Sequence, residues 1–594
     1  MKDLLIGIAG TGGDGVVSAG ESLLGALAVE GYYGLMTKSF GSQIRGGEAS
    51  CRIRIATTPV HDAGGTLDVA VALDWDDFLK FGAELPVDGR TTVLYDSESG
   101  VAADRLPLEG VRPIEVLSVP ITEIAKASAG TDKAKATVVL GLLAGWFGVG
   151  RRELLNGIRL KFARKGAEMV AANERAFAAG LAFADDHPLG TKKRMAPPLA
   201  AGQKWLADGN EMCAAAALFA GCEFFGGYPI TPSTEIMQAL GRDIWKFGGA
   251  VLQAEDEIAG VGAAIGASFA GRKAMTATSG PGMSLMTEML GLATIAELPL
   301  VCVNVQRGGP ATGMPTKSEQ SDLFQAAFSA HGDVTRPVLA PTSVADVFHV
   351  TVAAFNIAEE LQTPVIVLSD QEIAQRKEIL DPIETSGIAI VDRCRPAPGE
   401  LVGYERFRAT ESGVSPISQP GLLGGQYLAS GIEHTEAGAP TASGGVHARM
   451  TEKRFRKLRA LHTRRDLFER HGRRDAAIGL VAWGSIAGVA HEAFERSLAE
   501  GLDVQLLVPR LVYPVLEEVY REFFSRVHAG LVVEQSFQGQ LHRILRMFVD
   551  VPPGMQSFAR TGANPITHVE IVDRLRACAL ALQRSYGAEL QPVE

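Results

Sequence analysis

Short apolar runs alternate with longer stretches of helical periodicity along most of the chain. Residues 4–9, 32–36, 67–73 and 91–95 have the length of buried strands, while 134–147 and 151–183 have the length and spacing of helices. Residues 186–206 turn polar and proline-rich, with His187-Pro188 and Pro197-Pro198, and predict a linker. A second series begins at Gly209-Asn210. It has an alanine-rich helix over 211–220, strands over 273–278 and 301–305, and a helix over 283–295 capped by Ser279-Gly280-Pro281-Gly282. A helix over 342–361 and a strand over 365–369 complete it. Gly260, Ala263, Ala264, Ala267 and Gly271 permit close helix contact. Residues 393–458 carry little periodicity, which marks a partner-bound or functional segment. A third series follows residue 475, with strands over 478–482, 504–508 and 531–533 and a helix over 487–500. The alternation predicts an α/β fold in three α/β domains, at 1–190, 209–385 and 471–594, with a linker over 191–208 and a connecting segment over 386–470. Parallel sheets carry functional groups at the carboxyl ends of their strands, which places Thr231, Glu255, Ser279 and Arg307 on one rim. Glu255, with Asp256 and Glu257 beside it, reads as a buried carboxylate.

At 594 residues, the chain is long enough for several cores. Its formal net charge of -11 provides no overall basic field for nucleic acid or an anionic membrane surface. No apolar run approaches a bilayer span, and Met1-Lys2-Asp3 leads straight into a strand with no secretory signal, so a cytoplasmic protein is expected. The six cysteines are scattered without a Cys-x-x-Cys pair, which argues against a metal or iron–sulfur cage built by this chain alone.

The first strand runs into Gly10-Thr11-Gly12-Gly13-Asp14-Gly15 and a helix, a setting in which Gly10, Gly12, Gly13 and Gly15 can present backbone amides to a phosphate. The next strand ends in Thr37-Lys38-Ser39, without the acidic residue a nicotinamide dinucleotide requires. A turn that only packs helix on strand is the alternative. Gly13-Asp14-Gly15 mimics the start of a diphosphate–magnesium motif, but no asparagine precedes Asn156 to complete it. Lys38 and Arg45 could neutralise a phosphate or form a solvated turn. Glu433-His434-Thr435-Glu436 contains possible metal ligands, yet loop hydrogen bonding is the simpler reading.

Tyr228-Pro229-Ile230-Thr231-Pro232-Ser233, Gln253-Ala254-Glu255, Thr278-Ser279-Gly280-Pro281-Gly282 and Gln306-Arg307-Gly308-Gly309-Pro310 occur in the order of the alpha subunits of 2-oxoacid:ferredoxin oxidoreductases. The chain resembles this family over nearly its whole length, most closely the 2-oxoglutarate type with a fused gamma domain. Phe40 to Glu48 resembles the gamma-domain signature, and Glu534 to Leu541 the transketolase-type C-terminal domain. The resemblance implies thiamine diphosphate shared with a beta subunit, which would carry Mg2+ and a [4Fe–4S] cluster, in an (alpha-beta)2 assembly serving ferredoxin. It implies coenzyme A as co-substrate, facing Gly10 to Gly15, Lys38 and Arg45. The reaction would interconvert 2-oxoglutarate and succinyl-CoA in either direction, including the carboxylation used in a reductive TCA cycle. Pyruvate or a branched-chain 2-oxoacid is the alternative substrate, and a noncatalytic nucleotide-binding assembly subunit the alternative of another class. On this resemblance Glu255 contacts the aminopyrimidine, and Arg307 and Thr231 hold the 2-oxoacid.

Overall fold

The computed structural model describes residues 1–41, 47–191, 194–199 and 202–589, without the side chains of 585–589. The chain forms two compact units, Met1–Asp208 with Gln375–Glu384, and Gly209–Ala374 with Thr385–Glu594. The fold is α/β throughout.

Among the described residues, eight strands form the sheet of the first unit, in the order Glu115–Val119, Thr92–Asp96, Val69–Ala72, Asp3–Thr11, Glu48–Ala56, Tyr33–Phe40, Lys377–Leu380 and Trp205–Ala207. Asp3–Thr11 pairs parallel with Val69–Ala72 but antiparallel with Glu48–Ala56, which separates it from Tyr33–Phe40. A dinucleotide-binding unit instead sets its first two strands side by side around the crossover helix. The strand expected over 32–36 extends to Phe40 and includes Lys38. The helix expected over 151–183 is two helices, Arg151–Phe162 and Ala167–Asp186. Gly166 between them has φ +99°, a conformation that favours glycine and interrupts the helical hydrogen bonding. Trp205–Ala207, at the end of the expected linker, is an edge strand.

Seven strands form one sheet of the second unit, in the order Leu511–Tyr513, Val338–Leu339, Pro364–Asp370, Leu300–Gln306, Ala274–Thr278, Phe224–Gly227 and Ala250–Gln253, again among the described residues. The last six are parallel. A second sheet runs Phe468–His471, Val504–Pro509, Ile478–Ala482, Ala529–Glu534, Gly554–Ala559, parallel apart from its first strand. One apolar core joins them, combining Val261, Met283 and Leu290 with Trp483, Tyr520 and Leu541. The helix expected over 283–295 is divided at Met286 into Gly280–Leu285 and Thr287–Ile295.

The connecting segment is irregular up to Ser443 and ends in the helix Gly444–Arg456. Two buried ionic clusters hold it, one at Glu359 and one at Glu297. Arg393 pairs with Glu359 at 2.6 Å, and its guanidinium also donates to the carbonyls of Ser268 and Arg272 at 2.6 and 2.9 Å. Glu297 meets Lys453 at 2.7 Å and Lys457 at 2.5 Å, while Arg406 donates to its carbonyl at 2.7 Å. No described helix is long and apolar enough to cross a membrane.

Candidate active site

The rim is set by backbone contacts that only glycine allows. A Cβ on Gly226 would lie 2.4 Å from the Gly260 carbonyl, and one on Gly260 would lie 2.8 Å from Gly227 Cα. Strand Phe224–Gly227 and helix Glu257–Phe269 therefore touch backbone to backbone. This packing distributes the three neighbouring carboxylates. Asp256 is the helix cap, accepting the Ala259 N–H at 2.8 Å. Glu257 is buried, its Oε1 2.6 Å from where a Gly282 Cβ would stand. Glu255 is exposed, and no hydrogen bond among the described residues engages its carboxylate. The expectation of a buried Glu255 is thus corrected. The preceding strand, Ala250–Gln253, is the edge of the sheet, and among the described residues no further strand pairs with it. The same edge exposes Leu252 and, on the turn leading into it, Trp245 and Phe247, the last two at 66 % each.

Arg307, buried, follows strand Leu300–Gln306 and donates through Nη1 to the carbonyl of Thr231. The two residues are thus brought together through the Thr231 backbone, while Glu255 is not hydrogen-bonded or ion-paired to either among the described residues. Burial pushes the Arg307 guanidinium down, and the nearby Asp322 charge opposes this. Sequence reasoning missed Asp322. Its carboxylate accepts from Asn304 Nδ2 at 3.1 Å, and its N–H donates to Gln306 Oε1 at 3.0 Å. Burial raises the Asp322 carboxyl despite the Asn304 hydrogen bond and the Arg307 charge. Asn304 and Gln306 are polar positions inside an otherwise apolar, fully buried strand, which is the signal that could have found them. Ser279 Oγ, Asn304 Oδ1 and Arg307 Nε are buried without a hydrogen-bond partner among the described residues. Orphaned polar atoms at strand ends suit a polar ligand or bound water. With the Glu255 carboxylate, they make a set of polar groups on this rim whose hydrogen-bonding capacity is not used among the described residues.

Residues 307–322 form a loop folded on itself, with Gly308 N–H on the Lys317 carbonyl at 2.9 Å and Met314 N–H on that of Gly308 at 2.7 Å. Its far end lies against the second sheet. Gln320 and Gln535 exchange two hydrogen bonds, at 2.7 and 2.8 Å. Gln320 Nε2 donates to the Trp483 carbonyl at 2.8 Å. Gln540 bridges Ser321 and Phe324, donating to the carbonyl of the first at 2.7 Å and accepting the N–H of the second at 2.8 Å.

In the first unit, Gly10 to Gly15 turns the chain from strand to helix. Asp14 accepts the Thr11 N–H at 3.0 Å and pairs with Lys135 at 2.6 Å, while the Gly12 N–H donates to the Gly47 carbonyl at 2.7 Å. Two of the loop's amides are thus satisfied internally. Gly12 and Gly13 are exposed, and Gly15 has φ +78°. Lys38, half-buried, is near the end of Tyr33–Phe40, on the same rim as the end of Asp3–Thr11. Arg45 lies outside the described residues. In the connecting segment, Glu433 binds His447 at 2.6 Å and Arg454 at 2.6 Å, the His434 ring lies against that of Phe407 at an interplanar angle of 44°, and Glu436 accepts the Ala409 N–H at 2.8 Å. These residues make loop hydrogen bonds.

Two family models match. Residues 215–453 fit pyruvate flavodoxin/ferredoxin oxidoreductase, thiamine diphosphate-binding, and residues 6–183 fit pyruvate ferredoxin/flavodoxin oxidoreductase. The 2-oxoglutarate oxidoreductase subunit KorA of Mycobacterium tuberculosis is 32% identical, over 92% of this chain and 87% of that protein. The chain belongs to the 2-oxoacid:ferredoxin oxidoreductase family, as an alpha subunit with a fused gamma domain. Subunit alpha of 2-oxoacid:ferredoxin oxidoreductase 2 from Aeropyrum pernix is 28% identical over 97% of this chain and 98% of its own length. A solved structure, 2-oxoglutarate:ferredoxin oxidoreductase from Magnetococcus marinus with 2-oxoglutarate, coenzyme A and succinyl-CoA bound, is 36% identical. It superposes with a TM-score of 0.92 over 97% of this chain and all of that one. Like these relatives, the alpha subunit is part of an enzyme.

Proposed function

We propose that the chain is the alpha subunit of a CoA-acylating 2-oxoglutarate:ferredoxin oxidoreductase that interconverts 2-oxoglutarate, CoA and oxidised ferredoxin with succinyl-CoA, CO2 and reduced ferredoxin. The observation that carries this reading is the chain-long likeness to the Magnetococcus marinus protein, described with that 2-oxoacid and both CoA species bound. Thiamine diphosphate, when bound, supplies the electron sink that decarboxylation of a 2-oxoacid needs. Glu255 would hold N1′ of its aminopyrimidine and so favour the tautomer that accepts a proton. Arg307 would fork onto a carboxylate of the 2-oxoacid, with the Thr231 hydroxyl as a second donor, and a buried guanidinium gains strength in that role from the loss of water.

An exposed catalytic carboxylate on a sheet edge, beside exposed Trp245, Phe247 and Leu252, favours completion of the site by a second chain. That chain would be the beta subunit, carrying diphosphate, Mg2+ and the [4Fe–4S] cluster, in an (alpha-beta)2 assembly that reduces ferredoxin in the cytoplasm. Five of the six cysteines are buried, and burial pushes the thiols of Cys51, Cys213, Cys222 and Cys302 up to about 12, which disfavours the thiolates a cluster needs. Coenzyme A would approach the first unit at Gly10 to Gly15, with Lys38 and Arg45 for its phosphates. Pyruvate is the second substrate reading, because both matched family models are named for pyruvate enzymes.

The test is a substrate panel on the purified complex with ferredoxin or methyl viologen as acceptor. Preferred turnover of 2-oxoglutarate supports the proposal, and preference for pyruvate replaces it with the second reading. No turnover by a complex that contains an iron–sulfur partner indicates an assembly subunit.

A further inference from the structure

The stretch Glu534 to Leu541 ends a parallel strand and opens the helix Gln540–Phe548, the kind of place where an α/β sheet receives a ligand. Glu534, Gln535, Ser536 and Gln540 turn inward instead, while Gln538 stays exposed. Glu534, fully buried, accepts the N–H groups of Leu541 and His542 at 2.9 and 3.1 Å and so fixes the start of the helix. Gln535 Nε2 is held by the carbonyls of Thr561 and Asn564 at 2.6 and 2.9 Å, which sets its backbone opposite Gln320. Gln540 uses both ends of its amide on Ser321 and Phe324.

These contacts bracket Asp322. Gln320 and Ser321 before it and Phe324 after it are each tied to the second sheet, and Asp322 itself is tied through its N–H to the side chain of Gln306, the neighbour of Arg307. A side-chain amide with one donor and one acceptor engaged on the same backbone segment fixes both its distance and its rotation. Alanine would provide neither contact, and a carboxylate would provide only the acceptor.

We propose that Gln540, together with Gln535, is a positioning residue for the 2-oxoacid site, holding the loop that presents Arg307 and Asp322. The second sheet thereby acts on the reaction through the loop. The assignment rests on the reading of Arg307 as the group that holds a carboxylate of the 2-oxoacid, since a displacement of about 1 Å in such a group can lower a rate about a hundredfold.

A double-mutant cycle on the assembled enzyme tests it, with Gln540→Ala, Arg307→Lys and the double variant compared by kcat and KM for 2-oxoglutarate at saturating CoA and acceptor. Gln540→Ala should lower kcat/KM by about ten- to a hundredfold, and the double variant should lose little more than the worse single variant. Losses that multiply would refute the positioning role alone, because the two residues would then act independently. Wild-type kcat/KM in Arg307→Lys would refute the substrate reading itself. If Gln540→Ala fails to assemble, Gln540→Glu keeps the side-chain volume and the acceptor for the Phe324 N–H but loses the donor to Ser321. It should lower kcat/KM by about tenfold, and a wild-type value would overturn the proposal.

Discussion

Replacing Glu297 by Gln tests how the long connecting segment is held. The carboxylate is 1 % exposed and contacts two ammonium groups, Lys453 at 2.7 Å and Lys457 at 2.5 Å, with the Arg406 guanidinium on its own carbonyl. Burial pushes the carboxyl up, but Lys457, Lys453 and Arg406 together hold it well below the usual carboxylate range. Glutamine keeps the shape and removes the only negative charge that these contacts supply. Breaking a buried ion pair from one side costs about 3–5 kcal/mol. The lower end applies here, because burial and the Lys453 charge bring Lys457 down to about 7 even against the attraction of Glu297. Near neutral pH it can therefore release its proton instead of remaining an unpaired cation. Urea unfolding of Glu297→Gln, followed by circular dichroism, should show a loss of about 3 kcal/mol. Limited proteolysis should meanwhile cut first within residues 386–457. A loss below about 1 kcal/mol, with no new cleavage there, would show the cluster to be energetically neutral.

Arg307→Lys keeps the charge but loses the planar fork, and kcat/KM for 2-oxoacids should fall by about ten- to more than a hundredfold; a loss shared by 2-oxoglutarate and pyruvate assigns it the common C1 carboxylate, and one confined to 2-oxoglutarate the distal carboxylate. Lys457 binds its proton more weakly folded, at about 7, than unfolded, near 10.4, so between these values the unfolded chain holds more protons and stability rises with pH. Wild-type stability should therefore increase relative to Lys457→Met from pH 7 to 9, and a constant difference by urea unfolding would contradict this. Lys38→Ala and Arg45→Ala should raise the KM for coenzyme A several-fold without changing that for 2-oxoglutarate; unchanged values would make the first unit's glycine turn a packing feature.

The rim of the catalytic sheet was readable because apolar strands there give way abruptly to polar residues, as at Thr278-Ser279 and Gln306-Arg307. Glu255 was misread as buried because exposure depends on which strand ends the sheet, and no local pattern states that Ala250–Gln253 is the edge. Lys377–Leu380 escaped notice for a similar reason. The strand is short, and its partner, Lys377 opposite Met36, is some 340 residues earlier in the chain. Asp322 gave no signal of its own, since its role depends on a loop folding back under Asn304 and Gln306. Glu297 lies in a short helix–strand turn, and the lysines that neutralise it come from a distant segment whose sequence shows little periodicity. The glycine turn at Gly10 was readable as strand, turn and helix. Its strand neighbours were not, because Glu48–Ala56 inserts between the first two strands.

The proposed contribution of Glu255 to a thiamine-diphosphate site that oxidises 2-oxoglutarate is open to measurement. The most direct measurement is CoA-dependent reduction of methyl viologen by the purified complex, wild type against Glu255→Gln, with the iron content of each preparation determined alongside. Wild type should turn over 2-oxoglutarate in preference to pyruvate. Glu255→Gln should assemble with the same iron content and lose at least about a hundredfold in kcat. A Glu255→Gln complex that turns over 2-oxoglutarate at nearly the wild-type rate would remove Glu255 from the reaction.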